Sequence, residues 1–181
     1  MHNSIVQLRI TSGQFKGHLI NTLPTLRPAM EMVRKAVFDV LGDKIVGANF
    51  LELYAGSGAI GIEALSRGAA RVVFIEKDRA HYNLIKQNLN KLGIADKAAV
   101  RMMLVEDFIP ANQYPYDIIF ADPWYEDELT IIGWENLLAE GGILVIEHSS
   151  AKPPPANPNL RIWNNKRYGD TALTFYTHAR G

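Results

Sequence analysis

The 181-residue sequence contains no cysteine. That absence excludes disulfides, thiolate metal sites and every mechanism built on a cysteine nucleophile. The five histidines (His2, His18, His81, His148 and His178) lie far apart with no i, i+4 pair, so no metal is expected. No apolar run approaches the roughly 20 residues that span a bilayer. The opening "MHNSIVQLRITSG" lacks the basic and apolar regions of a signal peptide, and a cytoplasmic protein without membrane contact is the expectation. Net charge is missing too, with 19 basic side chains against 19 acidic ones. Nucleic-acid binders usually carry a basic surplus, so only a local basic patch would keep such a partner in play. There is no internal repeat. The one biased segment, "AKPPPANPN" (151–159), reads as an extended loop, because proline blocks both helix and sheet ladders.

What is present is an ordinary globular composition, 48% hydrophobic and 21% charged, in a chain long enough for one domain with a small appendage. A monomer is expected. "IVQLRITSGQFKGHLINTL" reads as a β-hairpin turned at Ser-Gly, and "RPAMEMVRKAVFDVLG" as a helix opening at Pro28 and stopping at Gly42. From residue 49 strands and helices alternate. "NFLELY", "RVVFIE", "AAVRMML", "YDIIFA" and "GILVIEH" read as strands, whereas "AIGIEALSRG", "RAHYNLIKQNLNKLG" and "ELTIIGWENLLAE" read as helices. Such alternation implies a parallel sheet covered on both faces. "LRIWN" and "TALTFYTHA" add an antiparallel hairpin at its edge. The expected fold class is α/β: an open, Rossmann-like sheet of about seven strands, residues 46–181, preceded by a hairpin-and-helix extension, residues 1–45.

The first strand runs into "ELYAGSGAIGIE", where Gly56, Gly58 and Gly61 have G-x-G-x-x-G spacing ahead of a helix. Glu76 ends the next strand, 20 residues after Gly56. Glycines let a ligand approach the backbone and the acid accepts from ribose hydroxyls, so an adenosine-containing ligand is expected. Both NAD and S-adenosylmethionine qualify, and three features favour the latter. Glu52 sits inside an apolar strand, where a carboxylate suits an ammonium and a sulfonium but repels a pyrophosphate. Little chain is left for a dehydrogenase's substrate region. A terminal antiparallel hairpin is expected of methyltransferase sheets.

The fourth strand of this series ends in "DPWY". Its carboxyl end faces the same crevice as the glycine loop, because ligands gather there in open α/β sheets. Exocyclic base amines are poor nucleophiles, their lone pair being delocalised into the ring. The Asp122 carboxylate and the Pro123 carbonyl can accept both N–H bonds and turn that lone pair toward the methyl group, and Asp122 can remove the proton. Tyr125 would stack on a flipped base. Without cysteine, amine methylation is favoured over attack at pyrimidine C5.

"YAGSGAIGIEALSRGA", "DPWY", "RITSGQFKGHLI" and "LRP" together resemble the RsmD family of bacterial small-subunit ribosomal RNA methyltransferases, from about residue 8 to the end. The resemblance implies a class I S-adenosylmethionine-dependent fold and methylation of the N2 amine of one guanine. It further implies cofactor contacts from Glu52, from the loop Ala55, Gly56, Ser57 and Gly58, and from Glu76, with Asp122, Pro123 and Tyr125 as the acceptor site. Three positions depart from the family pattern. Trp124 replaces a proline, Ala29 replaces a threonine, and Leu104 stands where an Asp or Asn near the adenine is usual, leaving Asp107 just beyond as the cofactor candidate. Adenine N6 and a protein glutamine amide are alternative acceptors, and a catalytically weak RNA-binding protein is a third reading. Phosphate contacts are expected from Arg9, Lys16, Arg27 and Arg34, which cluster before residue 36 where Glu31 is the only acid. Trp124 is a candidate second wall for the flipped base.

Overall fold

The computed structural model describes residues 4–24, 30–123 and 128–180. Two short strands, β1 (Val6–Arg9) and β2 (Leu19–Thr22), pair antiparallel as the expected hairpin. Helix α1 (Met30–Leu41) follows and buries Val33, Val37, Phe38 and Leu41 along one stripe, the placement that their helical spacing dictates. Pro28 lies outside the described residues.

The apolar runs from residue 49 onward become the parallel core: β3 (Asn49–Leu53), α2 (Ala59–Ser66), β4 (Arg71–Glu76), α3 (Arg79–Leu92), β5 (Ala98–Met102), α4 (Val105–Ala111), β6 (Tyr116–Ala121) and β7 (Leu138–Ser149). The last two strands, β8 (Leu160–Tyr168) and β9 (Thr171–His178), close the sheet as an antiparallel hairpin. Strand order is β5-β4-β3-β6-β7-β9-β8, with β9 inserted beside β7 and β8 left at the edge. The chain therefore leaves β3 to one side and returns at β6 on the other, and the crevice above this reversal is where an open α/β sheet holds its ligand. Among the described residues no helix is long and apolar enough to cross a membrane.

Two apolar clusters flank the sheet. One joins the hairpin (Ile10, Ile20) and α1 to Phe50, Phe74, Phe120, Leu173 and Phe175, and the other gathers Leu53, Phe108, Ile119, Trp134 and Tyr176 on the opposite face. Two expectations are corrected. The segment 128–140 is not a helix: only Trp134–Leu137 make a 3₁₀ turn, and β7 begins at Leu138. Its apolar residues have helical spacing, but Gly133 takes φ 90° and the Asn157 side chain donates to the Ile131 carbonyl and to Glu135, which stops helix propagation. The strand expected over 98–104 ends at Met102, and Val105–Ala111 forms a helix that the sequence reading had omitted.

Candidate active site

Glu52 emerges near the carboxyl end of β3, buried at 2% exposure, with Leu51 and Leu53 on either side. One carboxylate oxygen, Oε2, accepts the backbone N–H of Gly61 at 2.8 Å, pinning the first turn of α2 to the strand. Burial pushes this carboxyl well above the ordinary range. The Gly61 N–H opposes that rise, and the neighbouring negative charges of Asp122 and Glu76 add to it. The three acids thus share one electrostatic pocket at the topological reversal. A cation placed among them would relieve the strain of holding Glu52 ionised.

Between Glu52 and α2 the backbone turns through Tyr54, Ala55, Gly56, Ser57 and Gly58. Gly56 has φ 57° and Gly58 φ 76°, and the space a Cβ would enter at Gly56 is open to 4 Å. Backbone is therefore the surface offered to a ligand there. Gly61 answers a different need: a Cβ on it would lie 2.3 Å from the Phe74 ring, so glycine lets α2 sit against β4. Glu76, at the end of β4, accepts the Gly56 N–H at 2.6 Å through Oε2 and the Asp78 N–H at 2.8 Å through Oε1. Its carboxylate is thus held at both oxygens by backbone donors. Ala55 and Ser57 are buried in the loop.

Asp122 and Pro123 follow Ala121 directly at the carboxyl end of β6, beside β3 in parallel register, with Leu53 opposite Ala121. Asp122 is half-buried, Pro123 is buried, and Asp122 lies close enough to Glu52 to raise its pKa. Trp124, Tyr125 and Arg27 lie outside the described residues. Asp107 stands exposed in the first turn of α4, and its N–H donates to Leu104 O at 3.2 Å. Leu104 itself is 44% exposed beside it.

The hairpin cations separate into two groups. Arg9 and Lys16 are exposed, the Arg9 guanidinium donating to Gly17 O at 2.9 Å. Arg34, expected to meet phosphates, does not belong with them. It is 2% exposed, its Nη2 donates to Arg9 O at 2.9 Å, and its Nε faces the Glu63 carboxylate at 3.7 Å. Burial lowers its pKa against the opposing pull of Glu63. Arg34 is therefore a clamp between α1, the hairpin and α2, with no path to an RNA phosphate.

Glu63 and Tyr54 are the residues that sequence reasoning passed over. The buried Glu63 carboxylate accepts from Thr11 N and Thr11 Oγ1, both at 2.8 Å, and from Ser12 N at 3.2 Å, while Arg67 pairs with it at 3.2 Å. Ser66 adds a bond to Ser12 O at 2.6 Å. These contacts seat the "RITSG" turn on α2, the helix that follows the glycine loop. Tyr54 carries φ 54°, a left-handed conformation costly for a side chain of its size, and its hydroxyl lies 3.5 Å from Glu106. Burial raises its pKa further above its ordinary value, so it faces the site as a neutral phenol. A left-handed tyrosine has no sequence signature, and a glutamate on a short buried helix reads as an ordinary helix former.

A family model described as "Conserved hypothetical protein 95" matches residues 8–177. The chain is 32% identical to ribosomal RNA small subunit methyltransferase D of Escherichia coli over 183 residues, covering 97% of this chain and 92% of that protein. The solved structure of Escherichia coli YhhF superposes with a TM-score of 0.85 at 34% identity, covering 96% of this chain and 98% of that one. A more distant structure, SMU.776 complexed with S-adenosylhomocysteine, shares the fold with a TM-score of 0.71 at 14% identity, over 88% of this chain and 53% of that one. The open backbone at Gly56 and the neighbouring acids Glu52, Glu76 and Asp122 fit a cationic adenosyl ligand, as S-adenosylmethionine is. Fold, glycine loop and relatives agree that the chain belongs to the RsmD family of methyltransferases.

Proposed function

We propose that this protein methylates the exocyclic N2 amine of a guanine in small-subunit ribosomal RNA. The observation that carries the reading is the position of Asp122-Pro123 at the end of β6, beside β3 and within electrostatic reach of Glu52. Support for the RNA comes from the E. coli relative, whose name states that substrate. When bound, S-adenosylmethionine supplies an electrophilic methyl on a sulfonium, whose C–S bond breaks with its electron pair passing to sulfur. Glu52 and the loop Ala55–Gly58 would hold the methionine and ribose region, Glu76 would take the ribose hydroxyls, and Asp107 would be available to the adenine. Asp122 and the Pro123 carbonyl accept the two N–H bonds of the guanine amine and aim its lone pair. As the N–C bond forms, Asp122 takes the proton that the amine sheds. Tyr125 would stack on the flipped base, with Trp124 as the candidate second wall. Residues 1–45, with Arg9, Lys16 and Arg27, grip phosphates.

The test is transfer of a radiolabelled methyl to naked small-subunit RNA, small-subunit particles, DNA and protein, with digestion of any labelled RNA to nucleosides. N2-methylguanosine is the expected product, and Asp122→Asn should abolish it while leaving S-adenosylhomocysteine affinity nearly unchanged. Label in N6-methyladenosine or methylglutamine would overturn the assignment.

A further inference from the structure

The sequence reading placed basic character only before residue 36, yet residues 148–169 contain no Asp or Glu and carry Lys152, Arg161, Lys166 and Arg167. In a chain of zero net charge this is a second concentration of positive charge, and the fold puts most of it on β8, the sheet edge. Arg161, Lys166 and Arg167 are exposed there, and Trp163 is 41% exposed.

Register fixes where these side chains point. Lys166 stands opposite Leu173 and Arg161 opposite Thr177, and directly opposed residues of an antiparallel pair share a face. Leu173 belongs to the apolar cluster that also holds Ile10 and Ile20 of the N-terminal hairpin, so this is the hairpin's face of the sheet. Alternation along β8 puts Trp163 on the same face as Arg161, its ring meeting Phe175 edge-on at 6.3 Å, and the bulge between Ile162 and Asn164 brings Lys166 and Tyr168 back to that face. Tyr168 packs against the same cluster. Arg161, Trp163, Lys166 and Tyr168 therefore alternate cation and aromatic ring along one edge.

Register also fixes the height of that edge. Ala121 of β6 pairs with Ile146 of β7, Ile146 with Thr174 of β9, and Thr174 with Asn165 of β8. Lys166 is thus one residue beyond the row that ends at Ala121, level with Asp122. Three strand spacings separate them, about 14 Å at roughly 4.8 Å each.

We propose that β8 is a docking strip for single-stranded RNA flanking the methylated nucleotide, with Trp163 as a stacking platform and Arg161 and Lys166 as phosphate contacts, whereas Arg167, opposite Ala172, points to the other face. The chemistry matches surfaces on which bases stack on rings while cations track the backbone. Two acids lie near the strip: Asp170 in the turn after β8, and Glu147 of β7, which is buried and stands in the row of Lys166 two strands in. A protein strand is disfavoured as the occupant, since the bulge and the exposed cations are features that block edge-to-edge pairing. The inference rests on the RNA substrate proposed above and extends it to a second contact surface.

The experiment measures binding of naked small-subunit ribosomal RNA by full-length wild type, by Arg161→Glu/Lys166→Glu and by Trp163→Ala across a salt series, with S-adenosylhomocysteine affinity and thermal melting as fold controls. The double charge variant should bind RNA at least tenfold more weakly. Its log K against log salt slope should be shallower by roughly 1.4, about 0.7 for each lost single-strand phosphate contact. Trp163→Ala should weaken binding with the slope retained. Wild-type affinity and slope in the charge variant, with the controls normal, would overturn the proposal. So would unchanged binding to naked RNA combined with lost activity on assembled particles, which would assign the strip to a protein. If wild type itself neither binds nor methylates RNA, the substrate reading fails first, and that outcome is distinct from failure of the strip alone.

Discussion

Replacing Glu63 by glutamine tests whether the N-terminal hairpin is held by a buried charge. The native carboxylate, 0% exposed, accepts three hydrogen bonds from Thr11 and Ser12 and balances Arg34 and Arg67. Glutamine keeps one carbonyl oxygen for Thr11, but it removes the charge and presents an NH₂ where Ser12 N–H needs an acceptor. Arg34, 2% exposed, would lose the buried anion beside it. Breaking a buried pair from one side costs about 3–5 kcal/mol, because the surviving charge stays desolvated. At about 2–4 °C per kcal/mol for a chain of this size, the melting temperature should fall by roughly 6–20 °C. Urea unfolding followed by tryptophan fluorescence, extrapolated linearly, supplies the free energy. A second variant makes the reasoning specific: adding Arg34→Met to Glu63→Gln removes the stranded charge and should recover about 1–2 kcal/mol. A loss below about 1 kcal/mol for Glu63→Gln, or no recovery in the double variant, would refute the clamp.

Three further outcomes are expected. Gly61→Ala should destabilise by about 1–3 kcal/mol through overpacking, since its Cβ would lie 2.3 Å from Phe74; an unchanged urea midpoint would contradict this. Glu76→Ala should weaken S-adenosylhomocysteine binding by about 1–3 kcal/mol, read by calorimetry, because it also releases the Gly56 and Asp78 N–H groups. Glu52 sets a pH dependence. Its folded pKa is raised, so the stability it contributes is complete below its unfolded pKa and is lost as pH climbs toward the folded value. Glu52→Gln cannot titrate and should gain stability relative to wild type between mildly acidic and mildly alkaline buffer, in thermal melts of ligand-free protein. A melting difference that is flat with pH would show that Glu52 does not titrate in that window.

The glycine loop, the acid at the end of β4 and the parallel alternation were legible because each is written in neighbouring residues. What escaped depended on partners distant in sequence. Arg34 looks like a solvated helix cation until Glu63, on a helix two elements later, is seen to bury it. Residues 128–140 carry a helical apolar spacing that Asn157 and the left-handed Gly133 override. The α4 segment "VEDFIPA" is too short to show a period and contains Pro110, so it passed as loop. Of the cations of β8 only Arg161 falls in the run that reads as a strand, "LRIWN", and the face it shares with Lys166 depends on a bulge at Trp163 that no local pattern announces.

The hairpin has no core of its own: Ile10 and Ile20 are buried among residues of α1, α2, α3 and the sheet, and its turn borrows acceptors from Glu63 and Ser66. It is therefore not a transplantable cassette. A recombination event joining residues 1–45 of one protein to the sheet of another would need Glu63, Ser66 and Asn88 on the receiving side, Asn88 bonding both the N–H and the carbonyl of Asn21. An α/β sheet lacking those residues would inherit an unfilled apolar socket and a tongue with nothing to grip. The hairpin's inward side chains and the residues of α2 and α3 that hold them thus form one mechanical unit, and only its outward side chains are free to be exchanged singly.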